Sequence, residues 1–254
     1  MPVNNWTRDQ LLVTFNLYCR TPFGKLHKGN PEIILLAQKI GRTPSAVAMK
    51  LVNFASLDPV QQARQIRGLS NSSRADREIW NEFYANSEQL AFESQQSFLN
   101  LIGETREMRE AEVSVPSGPT EQTRMVRTRL VQGFFRDAVL SSYEFKCAVC
   151  DSDLTELLTA SHIIPWKDNI ERRADPRNGL SLCVIHDRAF DRGLMALGES
   201  FEILLSERLK IRSSRCRINS VAFLEVAGKS IALPSRFAPD PSAVAYHREH
   251  IFRN

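Results

Sequence analysis

The 254 residues carry 33 Lys and Arg against 29 Asp and Glu, a net charge of +4, with 43% hydrophobic and 24% charged residues. That composition suits a globular chain long enough for two compact domains and excludes wholesale disorder. No apolar run reaches the roughly 20 residues of a membrane helix, and an odd count of five cysteines argues against a disulfide framework.

The charge is unevenly spread. Residues 1–77 hold 11 basic against 4 acidic residues, and residues 78–112 hold 2 against 8. The first field suits phosphates and the second does not. The N-terminus lacks the basic-then-apolar order of a signal peptide. The expectation is therefore a soluble, cytoplasmic protein with no membrane partner.

Thr7 and Gln10 form a capping box ahead of Leu11, Leu12, Phe15, Tyr18 and Cys19, which predicts a helix over 7–20 with Trp6 as its staple and Thr21-Pro22 as its stop. A basic loop with one aromatic follows, Phe23 to Gly29, in which His27 reads as structural or solvent-facing. Asn30-Pro31-Glu32 starts a second helix through Ile33, Ile34, Leu36, Ala37 and Ile40, ended by Gly41. Thr43-Pro44 starts a third through Val47, Met49, Leu51 and Val52. Two short helices joined by G-R-T-P form a helix-turn-helix pattern in which Arg42, Thr43, Ser45, Lys50 and Asn53 face DNA. A plain helical hairpin with a solvated face carries the same pattern. Arg64, Arg67, Asn71, Ser72, Ser73 and Arg74 make a polar, basic loop that suits either phosphate contact or open surface, and Arg74 is taken as a DNA contact. Glu78 to Leu101 reads as one long helix. Its Trp80, Phe83, Tyr84, Leu90, Phe92 and Phe98 suit a core better than a pocket for a base.

Residues 112–120 hold two prolines and a glycine with no helical period, which makes them the best boundary in the chain. The expected division is a helical domain over 1–110, a linker over 111–122 and a second domain over 123–254. Arg124 to Ser141 predicts an amphipathic helix that buries Val126, Leu130, Val131, Phe134, Phe135 and Ala138. Arg124, Arg127, Arg129, Gln132 and Arg136 lie mostly off that stripe, where they suit a DNA backbone.

Cys147 and Cys150 form a C-x2-C pair, and Cys183 and His186 form a C-x2-H pair. Two short-spaced pairs are how tetrahedral zinc is commonly held, and the 32 residues between them leave room for an inserted hairpin. Buried thiols without metal are the plainer alternative. Between the pairs, His162 ends an apolar, β-prone stretch stopped by Pro165, and Asn178-Gly179 lies on its return. Asp187 and Asp191 sit i, i+4 on one face of a following helix. An imidazole can take a proton from water, a carboxylate can hold a divalent cation against phosphate charge, and an asparagine can fix the loop that aims the histidine.

The ordered set S-H-I-I-P-W, N-G-L and H-D-R-A-F-D-R-G resembles the HNH nucleases of the ββα-metal class. The resemblance implies His162 as general base, Asn178 as orienting residue, and magnesium or manganese at the catalytic site. It leaves His186 either as a zinc ligand with Asp187 on the catalytic cation or as the catalytic histidine itself; Asp191 is a weaker cation ligand. Ser161 stands where relatives carry Asp or His. The runs W-T-R-D-Q-L-L, P-F-G-K-L-H and I-G-R-T-P-S-A-V-A-M-K-L resemble the helical sensor domain of modification-dependent restriction endonucleases. That implies cleavage of double-stranded DNA containing 5-methylcytosine or 5-hydroxymethylcytosine. Two strands need two cuts, which makes a homodimer on DNA a hypothesis beside it. The rival readings are an HNH nuclease or nickase acting on unmodified DNA, and a non-catalytic, zinc-containing DNA-binding regulator.

After that set, Leu194 to Leu205 predicts a hairpin turning at 198–200, Val221 to Leu233 a second around Gly228-Lys229, and Pro241 a last helix. On that helix His247 and His250 read as surface residues rather than metal ligands. The fold class expected is α+β: an all-helical DNA-binding domain, then a ββα-metal domain with a zinc knuckle.

Overall fold

The structure, a computed structural model, describes residues 5–64, 72–103 and 119–254, with side chains of the last segment from 125 onward. Arg67, Asn71, the side chain of Arg124 and the Pro/Gly-containing stretch 112–118 lie outside the described residues. The chain divides into two compact units, Met1–Ala138 with Arg173–Asp175, and Val139–Arg172 with Pro176–Asn254. The division falls inside a helix, downstream of the expected linker.

Unit 1 is helical: α1 (Arg8–Arg20), α2 (Pro31–Lys39), α3 (Pro44–Ala55), α4 (Pro59–Ala63), α5 (Arg74–Ala85), α6 (Ser87–Ile102) and most of α7 (Pro119–Ser142). The caps read from sequence are present. Thr7 and Gln10 close a capping box on α1, and the Asn30 and Thr43 side chains each cap a helix that begins with proline; Asp58, not read from sequence, does the same for α4. Gly41 takes φ +67 after α2, a left-handed position that glycine adopts at no steric cost.

α1 is the central helix. All nine residues from Leu11 to Cys19 are buried, as for a helix surrounded by others. It packs against α2, α3, α5 and α6. Phe15 meets Phe54, Trp80 and Phe83 at ring distances of 5.3, 6.3 and 5.1 Å. Asn16, buried in this setting, donates from Nδ2 to Gln95 Oε1 at 2.9 Å, so its amide N–H is answered inside the core.

The single helix expected over 78–101 is two. Asn86 adopts φ −152°, ψ 75°, and its side chain accepts from the backbone N–H of Gln89 to cap α6. The asparagine side chain competes with the helix it interrupts and starts the next one.

Unit 2 begins at the end of α7 and contains a two-stranded antiparallel sheet, β1 (Leu158–His162) and β2 (Gly179–Cys183), followed directly by α8 (Val184–Asp191). A second pair, β3 (Met195–Leu197) and β4 (Ile203–Leu205), forms the hairpin expected there. Then come α9 (Glu207–Ser213), α10 (Arg217–Asn219) and α11 (Pro241–His250). Gly193 ends α8 at φ +67, and a Cβ there would lie 2.0 Å from the carbonyl oxygen of Ile251, so side chains are excluded on two counts.

Two expectations fail in unit 2. Residues 221–233 do not form a hairpin: Ser220–Leu224 is a π-helical turn, and after further turn bonds the chain pairs with Ile203 of β4. Ile203 N–H donates to Lys229 O, and Gly228 N–H donates to Ile203 O, both at 2.9 Å. His247 is not a surface residue. It is 2% exposed, stacks on Phe190 at 3.7 Å and 11°, and its Nε2 lies 3.1 Å from Phe190 O. An apolar partner 57 residues away decides its burial, which helical spacing cannot register. His250 does stay exposed.

Burial lowers the pKa of His247 to about 4, with the Phe190 carbonyl acting the other way. The unfolded chain binds a proton near pH 6.5 and the native protein does not, so stability present above pH 6.5 is lost as pH falls toward 4. The expected loss from pH 7 to 5 is about 2 kcal/mol. His247→Phe keeps a ring against Phe190 but cannot titrate. Denaturant melts of both proteins at pH 7 and 5 should show the variant losing less stability by that amount; parallel curves would refute the assignment.

Candidate metal centre and catalytic hairpin

The hairpin strands carry the catalytic candidates because the register joins them. His162 pairs with Gly179, and Leu158 pairs with Cys183. The strands thus place the histidine at one end and a metal-type cysteine at the other. Asn178, just before β2, is 1% exposed. Its Oδ1 accepts from the N–H of Ile164 at 2.8 Å, while Nδ2 donates to Ile164 O at 3.1 Å and Arg172 O at 3.3 Å. One amide side chain therefore holds both backbone polar groups of the residue two beyond His162. The His162 ring is half-buried and stands edge-on to Trp166 at 5.6 Å.

Cys147 and Cys150 come from the turn after α7, Cys183 from the end of β2 and His186 from the first turn of α8. Their ligand atoms all lie within 4.8 Å of one another. Cys150 and Cys183 sulfurs are 3.9 Å apart, and His186 Nδ1 lies 3.5 Å from Cys147 Sγ and 3.1 Å from Cys183 Sγ. Tetrahedral zinc with bonds of about 2.3 Å to sulfur and about 2.0 Å to nitrogen separates its ligands by roughly 3.5–3.8 Å. The donor set and its spacing fit a structural zinc.

Groups around the cluster support the fit. Backbone N–H groups of Val149 and Cys150 favour the anion on Cys147, that of Ser152 does so for Cys150, and that of His186 for Cys183. The hydrogen bond with Cys147 pulls Cys183 down to about 3, against burial, while that same bond and burial push Cys147 up. Burial pushes Cys150 up. Burial works to lower His186, but the Cys183 sulfur and the Ala222 carbonyl outweigh it and raise the imidazole. His186 Nε2 sits 2.9 Å from Ala222 O, the arrangement in which a metal-bound histidine donates its other N–H to a carbonyl. Both ring nitrogens are thereby committed. This geometry fits the reading of His186 as a zinc ligand.

Asp187 and Asp191 share a face of α8. Burial raises the Asp187 carboxyl, with the Ser161 hydroxyl and Arg188 opposing. Partial desolvation and then the Asp187 charge raise Asp191. A divalent cation would relieve both effects. Among the described residues, His162, Asp187 and Asp191 do not gather as a second group of three close ligands beside the Cys3His set.

Residues 147–198 match the protein family described as HNH endonuclease. This stretch is an HNH endonuclease domain. No curated protein matches the chain. The HNH domain makes this a metal-dependent nuclease with a nucleic-acid substrate. Ala222 reaches the Cys3His cluster without a sequence signal, because a backbone carbonyl 36 residues from its histidine leaves no motif.

The DNA-facing set expected in unit 1 splits. Thr43, Ser45 and Arg74 are exposed, although Thr43 also caps α3 and Arg74 pairs with Glu78 at 2.7 Å. Lys50 is corrected: it is 6% exposed and bonded to buried Asp76 at 2.7 Å. Asn53 turns to the same carboxylate at 3.3 Å, and Arg42 packs over Trp6 at 4.8 Å while donating to Asn5 O and Gln10 Oε1. Helical spacing places Lys50 near the polar face but cannot reveal an acid on α5. Asp76→Ala would leave that ammonium buried and unpaired. The expected cost is about 3–5 kcal/mol in denaturant melts, with Lys50→Met/Asp76→Ala recovering much of it. On α7, Arg127 pairs with Glu88 at 3.5 Å and covers Phe92, so it too is engaged within unit 1.

The exposed side of α3 offers something else. Leu26, Lys28, Ser45, Ala48, Met49 and Val52 line an open pocket of about 230 Å³. Met49 is 53% exposed.

No helix among the described residues is long and apolar enough to cross a membrane.

Proposed function

We propose that the protein is a modification-dependent restriction endonuclease that hydrolyses phosphodiester bonds in double-stranded DNA carrying 5-methylcytosine or 5-hydroxymethylcytosine. The supporting observation is the combination of an HNH domain with a separate helical unit whose third helix opens a mainly apolar, lysine-bearing pocket. An apolar wall reads a 5-methyl group by contact, and the lysine suits the flanking phosphate.

In this reading His162 takes the proton of the attacking water, and Asn178 holds the turn that aims it. Magnesium or manganese held by Asp187, with Asp191 as a weaker ligand, would stabilise the charge developing on phosphate. The Cys3His cluster with zinc holds the hairpin and α8 in register. Thr43, Ser45 and Arg74 remain as DNA contacts of unit 1. Cutting both strands takes two such sites, so two copies act on one duplex.

The test is cleavage of matched duplexes containing cytosine, 5-methylcytosine or 5-hydroxymethylcytosine, with Mg²⁺ or Mn²⁺. Cutting confined to modified duplexes is expected. Equal cutting of all three would keep the nuclease and remove the sensor. Binding without cutting in either cation would favour the DNA-binding regulator.

A further inference from the structure

Residues 207–217 read E-R-L-K-I-R-S-S-R-C-R, five basic residues against one acidic. The single acid is occupied, since Glu207 pairs with Lys210 at 2.7 Å. Arg208, Arg212, Arg215 and Arg217 are all exposed, and among the described residues no carboxylate pairs with them. None of these arginines belongs to the HNH stretch 147–198.

Their placement follows from the helix. Leu209 and Ser213 face inward at i, i+4, which turns Arg208 and Arg212 outward at the same spacing. The turn continues past α9, with Arg215 N–H donating to Arg212 O at 3.2 Å, so Arg215 follows on the same side. At about 1.5 Å rise per residue, Arg208 to Arg215 spans about 10 Å, roughly three phosphate steps along one strand. The patch is also anchored. α9 and α10 pack on the π-helical turn Ser220–Leu224, whose Ala222 carbonyl meets His186 Nε2 and whose Phe223 stands edge-on to the His186 ring at 5.7 Å.

We propose that Arg208, Arg212, Arg215 and Arg217 form a nucleic-acid backbone-binding surface on unit 2, tied to the metal cluster through the turn at 220–224. This rests on the reading of the protein as a nuclease and adds a contact surface outside the HNH stretch. Four unpaired guanidinium groups repel one another in the free protein, and phosphates relieve that repulsion with bidentate hydrogen bonds. Ile211 and Ile218, exposed among them, raise the alternative of an anionic membrane surface. α9 has only seven residues and α10 three, too short for the continuous apolar face an interfacial helix needs.

The experiment uses the full zinc-loaded chain with His162→Ala, to prevent cutting, and a 30-base-pair duplex titrated over a range of KCl concentrations. Arg208→Gln/Arg212→Gln/Arg215→Gln/Arg217→Gln should lower the slope of log K against log [KCl] by about 2–4, since each neutralised phosphate contributes about 0.9. Zinc content and melting temperature should stay unchanged. In the parent, Cys216, exposed within the patch, should alkylate at least several-fold more slowly when duplex is bound; this readout stands even if the quadruple variant misfolds. An unchanged slope with unprotected Cys216 overturns the proposal, as does absence of any DNA binding. Arginine-dependent binding to phosphatidylserine vesicles with no change in the DNA slope overturns it in favour of a membrane. If the slope falls as expected but the His162-intact chain cuts no DNA, the surface stands and the nuclease reading falls.

Discussion

Cys183→Ala is expected to abolish bound zinc and to destabilise residues 139–254 by roughly 5 kcal/mol or more, lowering their melting temperature by on the order of 20 °C. Cys183 ends β2, caps α8 and touches both Cys150 and His186, so it joins the hairpin to the helix. The knuckle is tied to β2 by the N–H of Ala148 donating to Ser181 O and closed on itself by the N–H of Cys147 donating to Ser152 O, both at 2.8 Å. In the absence of zinc, the cluster would have to keep Cys147 as a buried thiol, with Cys150 an exposed one, beside a low-pKa Cys183. Metal binding offsets that cost, because thiolates are the species zinc takes. Elemental analysis should give one zinc per wild-type chain and near zero for the variant. Cys216→Ala removes an exposed thiol and should change neither value. A Cys183→Ala protein with full zinc and an unshifted melt would reduce the cluster to packed thiols.

What the sequence made legible was local. The Thr7–Gln10 box, Asn30-Pro31, Thr43-Pro44 and Pro241 each state a helix start within four residues, and the structure honours each. Cys-x2-Cys and Cys-x2-His likewise carry their spacing with them, so the Cys3His cluster could be read before any fold was known. What escaped depends on partners far along the chain. Lys50 has the position of an exposed helix residue until Asp76 arrives from α5. His247 looks solvated until Phe190 stacks on it. The 221–233 stretch alternates like a strand but finds its bonds on β4 and its turn beneath His186. Asn86 was the exception, a local signal of a helix break hidden inside an otherwise continuous helical pattern. These long-range pairings also shape the candidate site: the carbonyl that meets His186 Nε2 comes from Ala222, 36 residues away, whereas the placement of Asn178 near His162 follows from the hairpin register.

His162→Ala is expected to lower the single-turnover cleavage rate by about 10²- to 10⁴-fold, the range for loss of a positioned general base, with zinc content, melting temperature and DNA affinity unchanged. The histidine is half-buried at the exit of β1, so its loss removes little packing, and the strand register does not depend on its side chain. Imidazole added to the reaction should recover part of the rate, because a free base can enter the space left and do the proton transfer that a purely structural ring would not have done. Asn178→Ala gives the complementary result. It strips two bonds from Ile164 and one from Arg172, so the turn loosens while the base remains. The rate should fall by about 10- to 100-fold, and imidazole should not restore it, because the defect is aim and not proton transfer. A His162→Ala protein cutting within twofold of wild type would place the proton acceptor elsewhere. Equal rescue of both variants would mean that Asn178 and His162 do not play separate parts.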